Sequence, residues 1–119
     1  MKPSEPIPVK FFCGVLYSDE ERLLQARGLL EHKYGSVDFT SPQFPFDKTH
    51  YYDPEMGASI YRLFFSFEHL INPKELAQLK IDCNNMEDQL AVAGLRKVNL
   101  DPGYMDYDKI VLASACLLY

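Results

Sequence analysis

The run VKFFCGVLY, Val9–Tyr17, is apolar on both of its pleat faces. A strand with one wet face alternates apolar and polar residues, whereas a strand without that alternation is covered on both sides. The rest of the chain must therefore supply a neighbour along each edge of this strand and material over its faces. With 119 residues there is one domain's worth of chain to do so.

The flanking pattern supplies those parts in turn. Ser18, followed three residues later by Glu21, forms the S-x-x-E signature of a capped helix start. Leu23, Ala26, Leu30 and Tyr34 then fall on one helical face before Gly35 ends the helix. Residues 37–46, VDFTSPQFPF, are extended but hold two prolines, which suits an edge or irregular strand. Over 61–70 a third strand turns Leu63, Phe65 and Phe67 one way and Arg62, Ser66 and Glu68 the other. Asn72-Pro73-Lys74-Glu75 opens a second helix whose apolar stripe is Leu76, Leu79, Cys83, Met86 and Leu90. Residues 95–100 form a short fourth strand, stopped by Asp101-Pro102-Gly103 in the composition of a type II turn. The order β-α-β-β-α-β predicts an α+β, ferredoxin-like sandwich, an antiparallel sheet with both helices on one face. The expected layout is a single domain over 1–119, with an extended segment at 1–7 and a tail at 106–119 that is a candidate helix.

Such a sandwich leaves one sheet face without helices. Lys10, Phe12, Gly14 and Leu16 point to it from the first strand, and Phe64 joins them from the third. A row of aromatic residues on an open face calls for a lid, a partner subunit or a ligand. The apolar run 110–119 is the nearest lid, and self-association into a homo-oligomer through this face is expected.

Charge and cysteine usage narrow the partners. A net charge of −5 argues against broad binding to a phosphate backbone, so no nucleic-acid partner is expected. A small anionic ligand held by a few local cations still fits. Cys13, Cys83 and Cys116 are odd in number, widely spaced and set in apolar runs, the pattern of reduced packed thiols in a cytoplasmic protein. The segment MKPSEPIPVK carries three prolines and no apolar core, unlike a secretory signal. The run 110–119 is about half the ~20 residues that span a bilayer, so no membrane partner is expected either.

Four longer strings, PIPVKFFCGVLYSDEE, SPQFPFDKTHYYDPEMG, RLFFSFEHLINPKELAQLK and RKVNLDPGYMDYDKIVLAS, occur in that order. Together they resemble a small prokaryotic family of unknown function, DUF4416. The likeness runs over nearly the whole chain and includes the unusual strings YYDPEMG and VNLDPGY. It implies no established activity. Some members of the family carry the label GTP-binding protein, but this chain has no G-x-x-x-x-G-K-[ST] phosphate loop. Members also look longer, with a basic, histidine-containing continuation after the VLAS segment. Here the chain reads VLASACLLY, so 106–119 is expected to be a shortened form of the family's C-terminal region.

Residues able to carry chemistry gather in two places. The segment 44–57, FPFDKTHYYDPEMG, holds Asp47, His50, Asp53 and Glu55, which together offer ligands for a divalent cation or an acid and base pair. The same residues, with Asp53-Pro54 and Gly57, also make an ordinary ordered turn. The end of the fourth strand adds Asn99, Asp101, Gly103 and Tyr104. In the functional reading Asp47, Asp53 and Asp101 hold a hard cation and His50 moves a proton. Arg62, with Lys48, Arg96 and Lys97, holds an anion beside them, contacted also by Asn99 and Tyr104. In the plainer reading Asn99 and Asp101 only shape a turn. Ser18, Ser41 and Ser66 have no base arranged to activate them as nucleophiles. Two functions stay open. One is a non-catalytic assembly module that pairs through the open sheet face. The other is a domain binding a nucleotide or phosphorylated small ligand, in one version a metal-assisted enzyme, with the 44–57 loop over its site. Convergence of the acids in a cleft favours the second; Phe12, Leu16 and Phe64 under a partner favour the first.

Overall fold

In the computed structural model, residues 7–46, 59–106 and 109–113 are described. They form β1 (Val9–Tyr17), α1 (Glu20–Tyr34), β2 (Val37–Thr40), β3 (Phe44–Pro45), β4 (Tyr61–Ile71), a 3-10 turn (Pro73–Glu75), α2 (Leu76–Gln89), β5 (Val98–Met105) and β6 (Ile110–Leu112). The architecture is α+β: an open antiparallel sheet with both of these helices on one face. Strand order is β2-β4-β1-β5-β6, with β3 also paired to β4. Among the described residues the sheet thus has six strands, and its order differs from the four-strand sandwich expected, because β3 and β6 are added.

β1 lies in the middle, as its two apolar faces require, paired with β4 from Val9↔Ile71 to Tyr17↔Tyr61 and with β5 from Lys10↔Met105 to Tyr17↔Val98. Val9, Phe11, Cys13, Val15 and Tyr17 point to the helix side. There they join Leu63, Phe65 and Phe67 of β4 and Val98 and Leu100 of β5 in one core. Leu23, Ala26 and Leu30 of α1, with Leu79, Cys83 and Met86 of α2, close it. Phe11 stacks on Phe67 at 4.5 Å between centroids and meets Tyr34 edge-on at 5.2 Å. Burying each such ring contributes about 1.5–3 kcal/mol, before any gain from the ring geometry. Cys13 and Cys83 are both buried and free, and the hydrogen bond between them, then burial, push the Cys13 thiol up.

The helix ends follow local chemistry with one correction. Asp19, not Ser18, caps α1: its Oδ1 accepts from the backbone N–H of Glu21 at 2.9 Å and of Arg22 at 3.3 Å. A carboxylate satisfies these N–H groups and also answers the positive end of the helix, which a serine hydroxyl does not. At the other end Gly35 takes φ 97°, a conformation costly to any residue with a Cβ. Asn72 caps the 3-10 turn through Lys74 N at 2.9 Å, and α2 continues from there. Tyr34 donates to Asp82 at 2.5 Å, tying α1 to α2; burial, then that bond, push the Tyr34 hydroxyl up.

A larger correction concerns β5. The fourth strand starts at Val98 rather than at residue 95, because Val92 and Leu95 already close a hairpin around Ala93 and Gly94, both at positive φ. It then runs straight through Asp101-Pro102-Gly103, so no turn forms there. Pro102 is tolerated because it sits opposite Cys13 with its missing N–H on the far edge of β5, where β1 asks for no bond. Its carbonyl accepts from Ala113 N at 2.8 Å on that same edge. One step along, α2 stands in for a strand. Glu87 Oε2 accepts from Leu100 N at 2.6 Å, and Lys80 Nζ donates to Leu100 O at 2.9 Å. Both edge groups of Leu100 are thereby satisfied, which closes β5 to further pairing at this point. In the tail, a candidate helix by sequence, Ile110–Leu112 instead form β6 along the end of β5.

A candidate ligand cleft on the sheet face opposite α1 and α2

Register alone fixes which side chains share the open face. Phe12 lies opposite Ser66 and Gly103, Gly14 opposite Phe64 and Asp101, and Leu16 opposite Arg62 and Asn99. Gly14 and Gly103 leave hollows on adjacent strands, and aromatic rings fill them. A Cβ on Gly14 would lie 3.0 Å from Cε1 of Phe64, and one on Gly103 only 2.8 Å from Cζ of Phe12. Leu16 is not open, since Ile60 packs on it and Phe46 lies against the pair. Beyond that cover is a cleft of 490 Å³. Its walls are mostly apolar, with Phe12, Phe39 and Phe64 on one side and Met105, Ile110 and Leu112 on the other. Ser41, Ser66 and Arg62 are its polar lining.

Two of those three polar groups are already engaged. Ser41 Oγ accepts from Phe64 N at 2.8 Å and donates to Pro42 O at 2.9 Å. Ser66 donates to Asp38 at 2.5 Å, and Asp38 in turn pairs with Lys10. The bond from Lys10, then that from Ser66, holds the Asp38 carboxyl below the usual range. Arg62 differs. Its guanidinium lies 5.2 Å from the ring centroid of Phe46 and 5.6 Å from that of Phe64. Among the described residues its buried Nε has no hydrogen-bond partner. Ring faces attract a cation by about 0.5–2 kcal/mol but accept no conventional N–H bond.

The other sequence candidates divide as follows. Asp47, His50 and Asp53, with Glu55 and Lys48, lie outside the described residues, as does Cys116. Asn99 and Asp101 share the sheet face of Arg62 but stand across β1, about 10 Å away at two inter-strand spacings. They bond to each other at 2.9 Å, and Lys80 donates to Asp101 at 3.2 Å, so that carboxylate already has a cation. Tyr104 faces the other way, opposite Phe11 and against the helix-side core, because strand alternation sends it there once β5 continues past Asp101. Arg96 reaches Glu87 at 3.4 Å rather than the neighbourhood of Arg62. Among the described residues no group of three His, Cys, Asp or Glu is placed to hold a metal ion.

Sequence reasoning named the run 110–119 as the nearest lid of this face, and Ile110 and Leu112 do line the cleft; what it missed was Met105 and the strand pairing that carries all three. Met105, Ile110 and Leu112 reach the cleft only because β5 is long enough to carry β6, and the D-P-G string hid that length. The alternation of Gly103 and Met105 with Pro102 and Tyr104 was the available signal.

A family model described as Domain of unknown function (DUF4416) matches residues 7–116. No curated protein and no solved structure matches the chain. Among the described residues no helix is long and apolar enough to cross a membrane.

Proposed function

Because the chain belongs to the DUF4416 family, a family of unknown function, we propose a reading from geometry: the cleft on the sheet face opposite α1 and α2 binds a small ligand with an apolar body and an anionic group. One observation carries it. Arg62 sets a guanidinium into an apolar wall with its Nε buried and unpaired among the described residues. A buried donor without a partner costs about 1–3 kcal/mol, and a turn of the Arg62 side chain that brings Nε to an anion in the cleft removes that cost. The cleft volume of 490 Å³ falls in the range of small-molecule sites. The frame is read as a ferredoxin-like sandwich with two added strands, supported by the β-α-β-β-α-β order of its long elements. The paired free thiols Cys13 and Cys83 support a cytoplasmic setting.

The test is thermal unfolding with 4-phenylbutyrate and with 4-phenylbutanol, in the wild type and in Arg62→Met. At a hundred times its Kd, a ligand that binds only the folded state adds about 2.7 kcal/mol. The carboxylate is expected to raise the wild-type midpoint, and Arg62→Met to abolish its advantage over the alcohol. Equal shifts from acid and alcohol in the wild type would remove the role given to Arg62.

A second reading is supported by the cleft rim, where Phe39 is 59% and Ile110 69% exposed. Large apolar side chains this open suit a homo-oligomer joined through the same face. Mass in solution tests it: a dimer that Phe39→Asp dissociates supports assembly, and a monomer at high concentration ends that reading.

A further inference from the structure

We infer that the occupant of the cleft is a single-chain aliphatic acid, an inference that rests on the ligand reading above and names its class. The polar inventory is the first ground. The hydroxyl protons of Ser41 and Ser66 are both committed, to Pro42 O and Asp38, which leaves Arg62 as the unspent donor of the lining among the described residues. A nucleotide brought here would strip water from a base edge and two ribose hydroxyls, with only engaged or apolar groups among the described residues to replace it. A ligand with one anionic head and no other polar group leaves nothing unpaired.

Shape is the second ground. From Arg62 on β4 the cleft crosses β1 and β5 to Leu112 on β6, three inter-strand steps and four residues along the strands, or about 20 Å on the diagonal. Carbon–carbon bonds of about 1.5 Å in zigzag advance about 1.25 Å each, so a chain of roughly ten carbons covers the nearer half of that span and roughly sixteen cover all of it. The far wall is made of Met105, Ile110 and Leu112, aliphatic chains that adapt to a flexible tail rather than to a fixed planar ring. The head therefore sits at Arg62, and the tail lies over Phe64 and Phe12 toward β6.

Calorimetric titration of the full chain with hexanoate, octanoate, decanoate, decanol, phenylacetate and GTP with magnesium tests this, each kept far below its aggregation concentration. Every methylene buried strengthens binding about fourfold, so decanoate is expected to bind roughly fifteenfold tighter than octanoate. Arg62→Gln is expected to weaken decanoate roughly tenfold or more while leaving decanol within a few fold, which also shows that the variant is folded. Ile110→Asp, at an exposed rim position, is expected to weaken acid and alcohol alike. An affinity that does not rise with chain length, or Arg62-dependent binding of GTP, overturns the proposal. If phenylacetate binds through Arg62 and the fatty acids do not, the aliphatic class falls while the ligand reading stands. If no anion binds in an Arg62-dependent way, both fall.

Discussion

Glu87 offers the sharpest test of how the sheet is held. It is 1% exposed, yet it carries a carboxylate whose Oε2 accepts from Leu100 N at 2.6 Å and whose Oε1 lies 3.4 Å from Arg96. Glu87→Ala removes a hydrogen bond to a charged acceptor, worth about 1.5–3 kcal/mol, and leaves the Leu100 N–H without its partner. It also deletes buried methylene surface at roughly 0.8 kcal/mol per CH₂. A loss of about 3 kcal/mol at pH 7 follows, a large share of the 5–15 kcal/mol typical of a domain. For 119 residues this lowers the thermal midpoint by about 10 °C. Glu87→Gln keeps an acceptor for Leu100 and is expected to lose far less. The pH dependence has a definite sign. Desolvation raises the Glu87 pKa, outweighing the bond from Leu100 and the charges of Lys80 and Arg96. A folded state with the higher pKa binds more protons, so this group's contribution is complete below the usual glutamate range and declines as pH rises through the folded value. The wild type should therefore gain on Glu87→Gln as the pH is lowered from 7 toward the usual glutamate pKa. Scanning calorimetry of the three proteins across that range decides. If Glu87→Ala stays within 1 kcal/mol of wild type at pH 7, the carboxylate does not close the edge of β5.

The remaining predictions concern the cap, the floor of the cleft and its rim. Asp19→Ala is expected to lose about 1 kcal/mol and Ser18→Ala almost nothing in urea unfolding, an inversion of which would return the cap to Ser18. Gly103→Ala would place a Cβ 2.4 Å from Val111 O as well as against Phe12, so it should separate β6 from β5. A cost of about 1–3 kcal/mol and faster amide exchange in 110–113 are expected, and unchanged exchange there would contradict the close approach. Lys10→Met should raise the Asp38 carboxyl toward its ordinary value in a carbon-detected NMR titration. Because that pKa is depressed in the folded protein, the linked stability is complete above the usual carboxylate range and is lost as pH falls through the folded value. The variant should lose less on acidification, and an unmoved Asp38 titration would sink the account.

What the sequence made legible was what period and caps control. The unbroken apolar run placed β1 at the centre of the sheet, and the 3- and 4-residue spacing of Leu79, Cys83 and Met86 placed the buried face of α2. Alternation along β1 put Phe12 and Gly14 on the open face with Phe64 beside them, and alternation along β4 turned Arg62 away from Leu63, Phe65 and Phe67. Illegible was whatever a distant segment decides. Asp-Pro-Gly is a turn signal by local rules, and it becomes strand only because the far edge of β5 needs no N–H from Pro102. Likewise Glu87 reads as a solvated helix residue until Leu100 turns its N–H toward it. Each miss is a tertiary partner overriding a local preference, so the sequence offered 110–119 as a lid but not the pairing with β5 that makes part of it a wall.

Arg62 brings these threads to one decision. Lys10, Arg27, Lys80 and Arg96 each face a carboxylate, whereas Arg62 faces two rings. If its role were structural, removing it would cost the packing and the cation–ring attraction of about 0.5–2 kcal/mol. If it is kept for a ligand, removing it also lifts the penalty of about 1–3 kcal/mol on the unpaired Nε, and the two nearly cancel. Met spans a similar length and keeps contact with Phe46 and Phe64, so Arg62→Met without ligand is expected to hold the wild-type midpoint or exceed it by a few degrees. Residues kept against the interest of stability mark function, and that trade is what the substitution measures. A ligand-free loss of more than about 2 kcal/mol would make Arg62 a strut for the Phe46 and Ile60 cover, and the cleft would lose its anion site.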